Sequence, residues 1–482
     1  MIRKATINSS TLSISDQCRC DAKYGIFVSQ DLWNAFQYEG KLQTISELLV
    51  QIPIKKVCKG ELSSDHYLIN ISDQTPRSGI LNHNNINLVE TLNSDKIILT
   101  DCDIFVSKLG MPRGYIYLNP KTKSELIGSS EFIPYKLKDI SNKYFYLYLL
   151  LMPQIRHAYR CLETGKTPSH KRVNPAEFLK IKVPVFTKEK IKHTNMEIQK
   201  KLELISELES KKLNTQTIVD EVFSRYFSID IDLRNKLHKG MTYGTQTSAN
   251  THSFLFNSSL AQISMNNEMR FSARFGNPFF TELEDKIKAY GYITINELIV
   301  EKIHRGKTPK YNSNGEIPVV KTAHLKNGEI IISTDEFVTE TFYHSQPSAH
   351  VVKGDILIAS TGKSSLGNVD STEHHIDMYA DSHITILRIN EKKCLKKFLV
   401  YFLWSVLGCY QFEKGYTGST NQIEISHDQI GDILIPDISI SSQQEIIKEI
   451  QDKINIQAKI TSQILELRDE IDKTILNAIA TL

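Results

Sequence analysis

TISELLV at residues 44–50 is written again as TINELIV at residues 294–300, 250 positions further on. A seven-residue match is weak alone, and its neighbours decide the matter. Upstream, NSS at 8–10 faces NSS at 257–259, and RCDAKYG at 19–25 faces RFSARFG at 270–276. Downstream, KVCKG (56–60) faces KIHRG (302–306), DIFVSKLG (103–110) faces DILIASTG (355–362), and FYLYLLL (145–151) faces FLVYFLW (398–404). A Thr-Gly pair recurs at 164 and 417, and KIKVP (180–184) faces DILIP (432–436). The order never breaks, so the chain reads as a tandem duplication. A period this long is not a solenoid unit; each copy is large enough for a domain with an appendage.

Each copy divides at the same place. Short β-rich stretches such as DKIILTDCDIFVSKL (95–109) surround one apolar helix-like segment, NKYFYLYLLLMPQIRHAYRCL (142–162), which predicts an α+β domain. After Pro184 the period changes. Ile191, Ile198, Leu202, Ile205, Leu208, Val219, Val222, Phe223 and Tyr226 fall at helical steps without an intervening proline or glycine. After Pro436 the same holds for Ile446, Ile450, Ile464, Leu467, Ile471, Ile475, Ala478 and Leu482, with Ser441 or Ser442 expected as N-cap and Glu445 as the capping-box acid. Five segments follow: a globular domain over 1–187, a long helix over 188–227, a Ser/Thr/Asn/Gly-rich linker over 228–255, a second domain over 256–440 and a second long helix over 441–482. A continuous helix of about 38 residues is roughly 57 Å long, the size of a spacer.

The full chain has 482 residues, 40% apolar and 23% charged, which is ordinary globular composition. It contains no apolar run of transmembrane length and no apolar stretch behind MIRKATINSS, so a soluble cytoplasmic protein without membrane attachment is expected. Seven cysteines without CxxC spacing support neither a disulfide framework nor a zinc site. A net charge of +3 is too small to name a partner.

Two amphipathic helices in one chain bury their stripes most simply against each other, as an antiparallel coiled-coil pair with pseudo-two-fold related domains at opposite ends. Duplex DNA has a matching dyad, and equivalent modules read equivalent faces of its two strands. The same periodicity also suits plain scaffold or an oligomer seam. Basic residues cluster in loops: Lys108 and Arg113 in SKLGMPRGY (107–115), and Lys166, His170, Lys171 and Arg172 in ETGKTPSHKRVNP (163–175). In copy two they are Arg305, Lys307 and Lys310 in HRGKTPKY, Lys363 in ASTGKSSLGN, and Lys414, Thr420, Asn421 and Gln422 in EKGYTGSTNQ. These are donors suited to phosphate and base edges, although a solvated surface residue is the commoner reading of any single one; their coincidence in equivalent loops carries more than any member.

Catalytic signals are weak. GKTP at 165 and 306 lacks the preceding glycine of a phosphate-binding loop, and no GxGxxG opens a strand-helix unit. NPFF at 277–280 has Phe279 where amino-methylating enzymes need proline, and Glu373, His374 and His375 lack helical metal-ligand spacing.

Taken with the RCDAKYG and RFSARFG entries, GDILIASTG, YTGSTNQIEIS, the Ile-Pro at 435–436 and SSQQEII, the whole chain resembles the specificity subunit of type I restriction-modification systems. Copy one departs from the pattern with KGELSSD (59–65) where copy two has RGKTPKY, and its helix starts without Gln-Gln-Glu. The resemblance implies two target-recognition domains on a bipartite double-stranded DNA site and no catalysis by this chain. It implies two methyltransferase subunits and restriction/translocase subunits as partners, with S-adenosylmethionine, ATP and Mg in those partners and no cofactor in this chain. The alternative is a noncatalytic repeat scaffold that binds proteins; a self-sufficient methyltransferase or nuclease is disfavoured by the missing motifs.

Overall fold

The computed structural model describes residues 38–81, 86–121, 124–167, 170–229, 278–326, 330–419 and 422–481, with residues 21, 23–25, 275–276 and 328. Most of the linker expected over 228–255, the RFSARFG string before Phe275 and Asn277 of NPFF lie outside the described residues.

The chain forms two compact units, Met1–Lys211 with Thr461–Leu482, and Lys212–Ile460. Each unit therefore takes its globular domain from one copy and part of its helical layer from the other. Both globular domains are α+β, as expected.

In the first unit, TISE forms a capping box in which the Thr44 N–H donates to Glu47 Oε1 at 2.9 Å and Ile45 is fully buried. The strand before it, Leu42–Thr44, pairs antiparallel with Lys182–Pro184, closing the domain where its chain enters and leaves. A four-stranded sheet follows in the order Leu49–Gln51, Phe132–Leu137, Ile104–Ser107, Ile116–Leu118. A separate mixed five-stranded sheet is built from residues 56–129. Between the sheets Phe105, Tyr117 and Phe132 pack, with an edge-to-face Phe105–Phe132 pair at 5.0 Å.

In the second unit TINE repeats the box, the Thr294 N–H donating to Glu297 Oε2 at 2.7 Å, and Tyr292–Thr294 pairs with Leu434–Pro436. Its framework sheet has the same order: His304–Arg305, Ile384–Leu387, Ile356–Ala359, Val369–Ser371. The second sheet differs, with four strands in place of five. Duplicated strings thus mark the framework, and the copies diverge in the inserted sheet.

Three local expectations need correction. The apolar segment at 142–162 is two helices, Lys143–Leu151 and Pro153–Leu162, because Met152 precedes a proline and turns extended at ψ 148°. The helix expected over 188–227 is also two, Lys188–Ser210 and Thr215–Tyr226. Asn214 starts the second by accepting the Thr217 N–H at 2.7 Å, while the Leu213 N–H goes to Gln457 Oε1 at 2.8 Å. The last helix, Ile440–Ala480, is continuous over 41 residues but is capped by Ser439, whose Oγ accepts the Ser442 N–H at 3.1 Å, not by Ser441 or Ser442.

Helices run antiparallel within each unit. In the first, Lys190 meets Thr481, Lys201 meets Glu470 at 2.9 Å, and Glu209 meets Arg468 at 3.7 Å. In the second, Glu221 meets Lys453 at 3.2 Å and Arg225 meets Glu449. Ile191, Ile198, Ile205, Val219, Val222 and Phe223 are buried as their spacing requires, as are Ile446, Ile450, Ile464, Ile471, Ile475 and Ala478.

Candidate nucleic-acid interface

Backbone hydrogen bonds lay the recognition loops of the two copies on one plan. In the first unit the Lys108 N–H donates to Glu131 O at 2.9 Å and the Val173 N–H to Lys108 O at 3.1 Å. In the second the Ser360 N–H donates to His383 O and the Ile425 N–H to Ser360 O, both at 3.0 Å. Every partner is displaced by 252 positions. Single bridges complete the match, Leu109 with Arg172 and Thr361 with Glu424. Each copy then turns on the glycine of its Thr-Gly pair. Gly165 has φ +123° and Gly418 φ +96°, and a Cβ there would lie 2.3 Å from His170 O and 2.2 Å from Gln422 O. Only glycine fits that approach.

In the first unit this framework gathers Lys108, His170, Lys171 and Arg172. Lys166 is exposed beyond the Gly165 turn, and His170 Nδ1 lies 2.6 Å from Thr167 Oγ1. Arg172 is half-buried and makes a two-pronged pair with Glu131 at 2.8–3.1 Å, which holds the Glu131 carboxyl below its ordinary 4.5 against partial burial. Lys108 stands 4.0 Å from the same carboxylate. Arg113 is exposed on the 3-10 turn Met111–Arg113. Nearby, Glu163 is pushed above its ordinary value by burial, with Lys171, Lys23, Arg160 and Arg113 opposing that shift. Four cations therefore stand near this one carboxyl.

The loop carrying Arg113 is tied to the unit's helices. The Arg77 N–H donates to Gly114 O at 2.9 Å, Arg156 Nε donates to Leu151 O at 3.0 Å, and an Arg77 nitrogen contacts Asp472 Oδ2 at 2.8 Å. Nothing in the local sequence singles out Arg77, Glu131 or Asp472, since their partners lie far along the chain.

In the second unit the strands Thr417–Ser419 and Gln422–Glu424 pair antiparallel as a hairpin; Thr420 and Asn421 lie outside the described residues. Gln422 is exposed, and the Gly362 N–H donates to Ile423 O at 3.0 Å, placing the Lys363 loop beside the hairpin. Arg305 donates through Nε to Ser382 O at 2.7 Å and pairs with Glu424. His427, after the hairpin, is held below its ordinary 6.5 by burial and then by Arg305. Lys307 and Lys310 are exposed on the segment that follows Arg305. Lys414 points elsewhere: it pairs with Glu284 of the helix Pro278–Lys288 and lies 4.8 Å from the Phe275 ring centre.

Among the described residues no group of three or more His, Cys, Asp or Glu is placed to hold a metal, and Glu373, His374 and His375 are exposed. No described helix is long and apolar enough to cross a membrane.

Residues 290–467 match the family model described as Type I restriction modification DNA specificity domain. The match covers most of the second copy, from Tyr290 into the helix Ile440–Ala480. Similar solved structures include a chain from a type I R-M system described for complex assembly and conformational transition (12% identity, TM-score 0.44, covering 91% of this chain and 97% of that one). Others are the S subunit of a type I system from M. genitalium (15%, 0.39, 91% and 96%) and an HsdS subunit from Thermoanaerobacter tengcongensis (11%, 0.33, 92% and 98%). A search of curated protein sequences returns no match.

Proposed function

We propose that this chain recognises a bipartite double-stranded DNA site, one half-site per copy, and brings adenine methyltransferase and restriction/translocase subunits to it. The supporting observation is that both copies build the same loop framework at a displacement of 252 positions yet present different side chains from it. A repeated backbone with altered side chains suits two related readers of different sequences. Lys166, Lys171, Lys307, Lys310 and Lys363 are assigned to phosphate, and Thr420, Asn421 and Gln422 to base edges. S-adenosylmethionine, ATP and magnesium are assigned to the partner subunits.

The test is adenine methylation mapped across a genome with and without this chain, beside its methyltransferase. A split motif that depends on the chain is expected; no chain-dependent motif overturns the reading. Neutralising the five lysines is expected to flatten the salt dependence of DNA binding, by about 0.9 in slope for each phosphate left without its lysine. A protein-binding scaffold would show no such change.

A further inference from the structure

The position that follows the glycine turn holds Arg172 in copy one and Glu424 in copy two, two residues with identical backbone roles and opposite charge. Each is neutralised by a side chain of the opposite sign from the framework sheet or its edge. Arg172 takes Glu131, directly before the strand Phe132–Leu137; Glu424 takes Arg305, in the strand His304–Arg305 that pairs with Ile384–Leu387. These two strands, 132–137 and 384–387, occupy the same place in the two sheets. The residue after the turn is thus ion-paired to the framework sheet in both copies with opposite charge, although the partners differ in place: the counterpart of Glu131 is His383, and Arg305 comes from the neighbouring strand.

A residue that reads a base must present its donors to the groove, and a guanidinium gripped by both oxygens of one carboxylate has most of its donors engaged. Arg172 also reaches back to His170 O at 3.2 Å, inside its own loop. Arg305 holds Ser382 O as well as Glu424. We propose that these two ion pairs are latches which fix the backbone at residues 172 and 424 to the framework sheet, so that Arg172 and Arg305 are positioning residues and the reading falls to the exposed side chains around them. Divergence between copies has kept an ion pair at this turn while reversing the charge on the turn and drawing the partner from a different place on the sheet.

This inference rests on the proposed DNA role, and the experiment separates the two. Full-length Arg172→Ala and Glu131→Ala chains are compared with wild type, each with the methyltransferase, by mapping methylated sites. Both variants are expected to lower methylation about tenfold, through the first half-site only and by similar factors. A base-reading Arg172 predicts otherwise: Arg172→Ala would alter the preferred base at one position, while Glu131→Ala, which releases the guanidinium, would preserve or improve activity. That outcome overturns the proposal. In copy two, Arg305→Glu loses activity through the second half-site, and adding Glu424→Arg is expected to recover most of it; no recovery counts against the latch. Amide exchange in the DNA-free chain supplies the independent measurement. The Thr164 and Arg172 amides, which bond to each other's carbonyls at 2.8 Å, should lose protection in both copy-one variants while the strand Ile104–Ser107 keeps its own. Unchanged protection of these two amides defeats the latch even if methylation falls, and absence of wild-type methylation with the exchange effect intact defeats only the DNA role.

Discussion

The helix Val406–Gly415 of the second unit has its first N–H held by Asp220 Oδ1 at 2.9 Å, a carboxylate from the helix Thr215–Tyr226. The corresponding helix of the first unit opens on Pro153, which has no N–H to offer. The carboxylate at the corresponding place, Asp472, is still present and is turned to Arg77 instead. One copy uses its buried acid to cap a helix; the other uses it to tie the last helix to the segment that carries the Arg113 loop. Duplication preserves the place of a polar group, and what that group bonds to depends on which donors the copy retained.

The comparison breaks hardest in the helical layer. Phe223 and Ile475 stand 252 positions apart, both fully buried, and Phe223 packs between Phe398 and Phe402 with ring centres at 5.9 and 6.0 Å. Phe223→Ala is expected to cost about 3–5 kcal/mol and Ile475→Ala about 2–5 kcal/mol. Urea unfolding of each full-length variant, read by exchange within its own unit, checks both values and shows whether each loss stays in its unit. Next come the two acids. Asp220→Ala leaves the buried Val406 N–H without its acceptor and is expected to cost about 2 kcal/mol. Asp472→Ala removes a partly buried charge whose carboxyl burial pushes above 3.8 despite Arg77, and is expected to cost less. Equal losses would mean that the two acids do the same work.

The parts legible in the sequence were those set by local rules. The repeated strings marked the shared framework and the apolar steps on the helices announced their buried faces, while the capping boxes of TISE and TINE and the glycine turns of the Thr-Gly pairs emerged only from the fold. Basic loops were visible as clusters; of their residues, Lys108 and Arg172 share Glu131, while Lys414 is held by Glu284. Which cations would be internally paired was not visible, because Glu131 precedes Arg172 by 41 positions and Glu424 follows Arg305 by 119. The break at 211–214 escaped for a related reason: no proline or glycine marks it, and the Leu213 N–H is satisfied by Gln457, 244 positions away. Asn214 was the only local sign. Asn214→Ala is expected to cost about 1 kcal/mol, measured as a shift in the unfolding midpoint of the second unit.

The smallest expected effect is one of pH, and here two acids of the same unit should move in opposite directions. Glu131 is held below its ordinary 4.5 by the Arg172 hydrogen bonds, so its pairing contributes fully above that value and is lost as pH falls through its lowered folded value. Asp472 is held above its ordinary 3.8 chiefly by burial, so folding takes up a proton there, and the unit gains from this group as pH falls. Thermal midpoints of wild type, Glu131→Gln and Asp472→Asn, followed from pH 7 to below pH 4, separate the two. The advantage of wild type over Glu131→Gln, about 1 kcal/mol or less at pH 7, should shrink on acidification. Wild type should improve relative to Asp472→Asn over the same range. If both differences shrank together, the hairpin pair and the helix tie would share one electrostatic origin, and the distinction between a latch that needs its charge and a buried acid that resists its own would fail.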